Sequence, residues 1–155
     1  MSSRFVLISG LAFVLAGCSY DFAPRASYHV TALSTDDAAD AASLISAYRI
    51  AHGLPAVAVD PRLNQAAGHQ AQAVAQTGQL SHGSFSGRMD QYGVTGYSAE
   101  NLSAGSASVA QVIARWQASP YHNENLLLPQ ARYVGLARAD SNSRYRRYWA
   151  LVLSQ

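Results

Sequence analysis

The chain has 155 residues, eleven Lys or Arg, nine Asp or Glu and a single Cys. That is enough for one domain with a real core and too little for two. A formal charge of +2, carried entirely by Arg, speaks against a nucleic-acid binder, which needs a broad basic stripe. One Cys rules out an intramolecular disulfide, so the fold must be held by packing.

The N-terminus reads as a leader. MSSR is followed by FVLISGLAFVLAG, an apolar run too short to cross a bilayer and the right size for a signal-peptide core. It ends in Leu15-Ala16-Gly17-Cys18, which resembles the bacterial lipobox, where the chain is cut before a Cys that is then acylated. The expectation is a signal peptide at 1–17, a lipid on Cys18 and a tether over 18–34, with the folded domain at 35–155. Such a protein sits in the cell envelope, attached to a membrane by its lipid. In a double-membraned cell, Ser19 after the Cys points to the outer membrane. His29, in the tether, is expected to be exposed.

A first helix is expected from near Thr35, with Asp36 and Asp37 in its first turn. Its apolar positions are Ala41, Leu44, Ile45, Tyr48 and Ala51, and Gly53 and Pro55 stop it. Asp60 and Pro61 then open a second helix as N-cap and first helical residue, and Gly78 closes it. His69 falls off its apolar face and reads as exposed. The glycine-rich stretch from Gly78 to Gly105 is irregular, with a short helix at 87–92 and a strand at 97–103. Long irregular segments in small domains tend to carry function.

Ser108 and Gln111 have the spacing of a capping box for a third main helix. Val109, Val112, Ile113 and Trp116 form its core stripe, and Pro120 ends it. Two strands follow, Tyr133–Ala139 and Tyr145–Leu153, joined by a hairpin. WALVL reads as a strand covered on both faces. Arg144, Arg146 and Arg147 read as the solvated start of that strand, with contact to anionic envelope polymers as the sharper alternative. Early helices and a late strand pair predict an α+β fold with a small antiparallel sheet.

Several pieces, in order, carry a resemblance: AYRIAHGLPAVAVDPRLNQAA, SHGSF, SAENLSAG, SPYHNENLL preceded by Trp116, YVGLARA and YWALVL. Together they resemble the CAP superfamily of cysteine-rich secretory proteins, antigen 5 and plant pathogenesis-related proteins, also called SCP domains. The likeness spans about Leu44 to Leu153 and is closest to small, disulfide-free bacterial members. It implies a three-layer α-β-α sandwich and a cleft lined by two His and one or two Glu. The family positions fall on His82, Glu100 and His122.

These residue types suit several chemistries. Two imidazoles with a carboxylate can hold a divalent metal such as zinc, or a carboxylate can orient an imidazole as a base. The readings are a binding module for a small apolar molecule, glycan or peptide, a metal-dependent or His/Glu-assisted hydrolase, and a scaffold with no active cleft. The chain is expected to be a monomer with no nucleic-acid partner and no other cofactor. Three positions depart from the family pattern. Ser119 stands where eukaryotic members have a second Glu, Tyr121 where bacterial ones have Gly, and Ala99 where the family has the Gly before Glu100. Phe85, Tyr92, Tyr97 and Tyr121 are the aromatic residues near the motifs.

Overall fold

A computed structural model describes residues 27–155. The expected leader, Cys18 with its expected lipid and most of the expected tether lie outside these residues. The described elements are β1 (Val30–Ser34), α1 (Ala38–Ala51), β2 (Ala58–Val59), α2 (Pro61–Thr77), α3 (Phe85–Gln91), β3 (Ser98–Ala104), α4 (Val109–Gln117), α5 (Pro120–Leu126), β4 (Tyr133–Ser141) and β5 (Arg147–Ser154). One sheet runs β1-β4-β5-β3, with antiparallel neighbours throughout, and the two-residue β2 adds a parallel pairing to the start of β4.

The expected three layers are present. Alternation along the strands sends Val134, Leu136, Trp149, Leu151 and Leu153 to one face, where they pack with Ile45 of α1, Val112, Ile113 and Trp116 of α4 and Leu126 of α5. The other face carries Ala137, Ala139, Tyr148, Ala150 and Val152 against Leu63, Ala67, Ala71 and Val74 of α2 and Met89 of α3. Small residues on β4 let α2 come close. A Cβ built on Gly135 would sit 2.1 Å from the carbonyl carbon of Leu63, so only Gly fits there. β5 is buried from Tyr148 to Ser154, as its apolar run requires.

Local signals account for the two best-defined helices. In α2 the Asp60 carboxylate accepts from the Arg62 amide at 2.8 Å, Pro61 takes the first position, and Gly78 ends the helix in the left-handed region at φ 68°. In α4 the Ser108 hydroxyl accepts from the Gln111 amide at 3.3 Å. The Gln111 side chain reaches back one residue further than a strict capping box, accepting from the Ala107 amide at 3.0 Å.

Three expectations are corrected. The tether does not extend to residue 34, because Val30–Ser34 pairs with β4 as a sheet strand. α1 starts at Ala38, and its buried stripe is Ala38, Ala41, Ala42, Ile45 and Arg49, leaving Leu44 exposed. The basic cluster is split. Arg147 is the first residue of β5 and pairs with Asp140 at 2.7 Å, while Arg144 and Arg146 stand exposed in the hairpin.

Arg49 is the main surprise of the fold. It is fully buried with no carboxylate partner among the described residues, and its guanidinium donates to the carbonyls of Pro55, Leu126, Leu128 and Ala131 at 2.9–3.0 Å. Leu126 and Leu128 are at the C-terminal end of α5, where helix carbonyls lack internal partners and a cation is favoured. Arg49 therefore caps α5 from α1. The Tyr48 hydroxyl adds a second tie to α5, 2.8 Å from the Asn123 side-chain oxygen.

Candidate functional site

β3 is one edge strand of the described sheet, and the three residues implied by the resemblance lie on or beside it. Glu100 and Leu102 point to the α2/α3 side, and Asn101 to the α5 side. The buried Asn101 amide donates to the His122 carbonyl at 3.0 Å, and its oxygen accepts from Asn125 at 2.8 Å. That pair explains why an Asn follows Glu100 and why α5 repeats Asn: the two segments are joined through side-chain amides. Edge carbonyls of β3 are also covered. Asn125, Trp116 and Arg115 donate to the carbonyls of Glu100, Leu102 and Ala104 at 3.2, 3.2 and 2.9 Å. Side-chain donors thus shield the edge from another strand.

On the α3 side, His82 Nδ1 lies 2.8 Å from Glu100 Oε1. The second carboxylate oxygen binds Arg88, whose guanidinium also donates to the His82 carbonyl at 3.3 Å. Glu100 is only 2% exposed in its side chain and Arg88 6%, while His82 is 57% exposed. A carboxylate paired with Arg is ionised and can only accept, so His82 Nδ1 carries the hydrogen. Nε2 is then the nitrogen offered to a ligand. The loop that carries His82 is held down by Gln70, which donates to the Ser81 carbonyl.

On the α5 side, His122 Nδ1 lies 2.8 Å from the Ser119 hydroxyl, which again leaves Nε2 for a ligand. Ser119 occupies the N-cap position of α5, but its hydroxyl makes no capping bond to the helix backbone. His122 is half-buried beside a cavity of about 490 Å³ whose walls include Leu80, Leu102, Arg115, Trp116 and Tyr145. Partial burial, and then the nearby charge of His82, hold the His122 imidazole below its ordinary 6.5. The segments carrying His82 and His122 thus meet the edge strand from its two sides, through Glu100 and Asn101.

The sign of that shift gives a prediction. A folded value below the unfolded one means that the unfolded chain binds the proton more readily. The stabilising contribution of neutral His122 is complete above pH 6.5 and is lost as pH falls below it toward the folded value. Urea midpoints of the wild type should fall more steeply below pH 6.5 than those of His122→Gln, and superimposable profiles would contradict this.

Among the described residues no three His, Cys, Asp or Glu side chains are grouped to hold a metal ion. The donor chemistry supplies the reason, since both Glu100 oxygens are already taken by His82 and Arg88. A first shell of His82, His122 and Glu100 does not fit this arrangement.

The aromatic residues near the motifs do not line the cavity beside His122. Tyr121 is 81% exposed and does not line the His122 cavity. Phe85 and Tyr92 pack partly into the α2/α3 core, and Tyr97 is exposed. The aromatic walls are Trp116 and Tyr145 instead. Sequence reasoning also missed Arg88 and Arg115. The S-G-R-M segment held the only signal for Arg88, a cation inside a glycine-rich loop where the partner of a buried carboxylate had to be sought.

With the geometry in place, comparison with known proteins is informative. No curated protein matches the chain at a significant level. Among solved structures, an outer surface protein from Borrelia burgdorferi superposes with a TM-score of 0.71 at 20% identity, covering 83% of this chain and 98% of that one. An extracellular protein containing an SCP domain from Bacillus anthracis gives 0.66 at 20% identity, over 76% of this chain and 39% of that one. A cysteine-rich secretory protein from Staphylococcus aureus gives 0.62 at 19% identity, over 75% and 37%. This chain thus spans under half the length of the latter two. Identities this low bear on the fold alone, but the model of the cysteine-rich secretory protein family matches residues 42–153, most of the chain. Together with the two-faced sheet and the ordered motifs, that match makes the chain a member of the CAP, or cysteine-rich secretory protein, family.

Proposed function

We propose that this protein is an envelope-anchored CAP domain that binds a small apolar or amphipathic ligand, such as a lipid fragment, a glycan or a short peptide, in the cavity beside His122. The observation that carries this reading is the lining of that cavity. Leu80, Leu102, Trp116 and Tyr145 give it apolar walls, while His122 and Arg115 supply two polar contacts of the kind that fix orientation in ligand sites. Turnover is less well supported, because Glu100 is neutralised by Arg88 and is not free to act as a base. A divalent ion such as zinc would have only two imidazole nitrogens and water, so its binding would be weak. The outer-surface and extracellular relatives support a location in the envelope.

The ligand is tested by adding fatty acids, short glycans and peptides in separate titrations and following histidine ring signals by NMR. One class should shift His122 saturably and lose its effect in Leu102→Arg, which fills the cavity with a charge. If no class did so, the domain would be a scaffold.

The anchor makes a separate prediction. Two or more acyl chains give stable attachment, where one chain holds a protein only marginally. Cys18→Ala should move the protein from the membrane fraction to the soluble one or leave the leader uncleaved. Unchanged membrane attachment of the mature-length variant would remove the lipoprotein reading.

A further inference from the structure

The basic hairpin and the start of the described chain lie together at one end of the sheet. β1 begins at the hairpin: Val30 pairs with Ser141, the His29 amide donates to the Asn142 side chain at 2.9 Å, and the Asn142 amide donates back to the His29 carbonyl at 3.1 Å. The described chain therefore begins beside Asn142 of the hairpin and Gln76 at the end of α2, whose carbonyl accepts from the Tyr28 amide at 2.7 Å. From Cys18 to Ser27 a fully extended chain spans about 30 Å, which bounds how far this end can stand from the lipid.

Charge at this end is uneven. Asp140 is taken by Arg138 and Arg147, while Arg144 and Arg146 are exposed and form no ion pair among the described residues. Tyr145, between them, is 51% exposed, and the Arg144 guanidinium lies over its ring at 5.9 Å. The backbone adds an independent observation. Arg146 is the one non-glycine residue among those described with a positive φ, at 63°. Gly or Asn would sit there with less strain, so the hairpin keeps a cation at a position where conformation favours another residue.

We infer that the β4–β5 hairpin tip is a membrane-docking surface: Arg144 and Arg146 contact anionic lipid headgroups, and Tyr145 enters the interfacial layer between them. The inference rests on the proposed anchor, which holds this end near a bilayer. Arginine near an anionic surface is attracted within about a Debye length, roughly 8 Å in physiological salt, and a short tether keeps the tip within reach. Tyrosine is favoured at the interface, where its ring is apolar and its hydroxyl stays wet. Docking in this pose also turns the Tyr145 wall of the His122 cavity toward the lipid.

The test uses the acylated chain reconstituted in vesicles of phosphatidylcholine, alone or mixed with phosphatidylglycerol, with brominated acyl chains as quencher. Tyr145→Trp and Tyr133→Trp place a reporter at opposite ends of the sheet, since both tyrosines are exposed while the native Trp116 and Trp149 are buried. Lipid should quench the reporter at 145 and not at 133, only in the anionic vesicles, and less at high salt. Arg144→Ser with Arg146→Gly should lower the docked-to-undocked ratio about 30-fold, from roughly a fivefold loss per Arg, with the protein still attached. Equal quenching at both ends of an attached chain, or quenching that survives the double substitution, overturns the docking surface alone. A chain recovered without lipid on Cys18 overturns the anchor and this inference with it.

Discussion

Replacing Arg49 by Met is expected to destabilise the domain by roughly 3–5 kcal/mol, a cost typical of breaking a buried charged network. Met keeps much of the volume of the stem but donates no hydrogen bond. The carbonyls of Pro55, Leu126, Leu128 and Ala131 then lose their shared donor inside the protein. Unsatisfied buried acceptors cost about 1–3 kcal/mol each, less where water can enter. Small domains hold only 5–15 kcal/mol in total, so the variant should be near the threshold of unfolding. Arg49→Lys should fall between the two, because one ammonium cannot reproduce a planar fork that serves four carbonyls. Urea denaturation followed by the fluorescence of the buried tryptophans measures both. A Met variant within about 1 kcal/mol of wild type would show that the carbonyls find water, and that Arg49 does not hold α5. The consequence reaches the site, since α5 carries His122.

Glu100 offers the second large effect. Glu100→Leu should cost roughly 3–5 kcal/mol, because it strands the buried Arg88 guanidinium, whose Nε already lacks a partner. Adding Arg88→Met should recover much of that loss, since a buried ion pair replaced on both sides by apolar residues is often neutral. The double-mutant cycle separates this account from simple packing, which predicts additive losses. Additivity would mean that the pair contributes nothing beyond its volume.

Much of the fold is legible in the sequence because its signals are local. Asp60-Pro61 and Gly78 bracket α2, Ser108 opens α4, and the spacing from Val112 to Trp116 marks its buried face. The trio was legible only through resemblance, because residues 18 and 22 positions apart carry no periodic signal. β1 was misread as tether for a related reason. VTALS is short and mostly exposed, and only its distant pairing with β4 makes it a strand. Arg49 sits where the helical stripe of Ala38, Ala41, Ala42 and Ile45 continues, yet a cation in such a stripe normally turns outward. Its burial depends on carbonyls about 80 residues away, which no local pattern contains. Arg88 and Tyr145 were missed on the same ground, since their partners and cavity are assembled from separate segments.

The central claim is that the space beside His122 is a ligand site, and the two indole N–H signals of the protein test it directly. Trp116 forms a wall of that cavity and donates to the Leu102 carbonyl at 3.2 Å, whereas Trp149 donates to Ser106 at 2.9 Å, outside the cavity. In an NMR titration with each ligand class, the site predicts a saturable shift of the Trp116 indole and an unmoved Trp149 indole. Shifts that are absent for every class, or equal at both indoles, would contradict it.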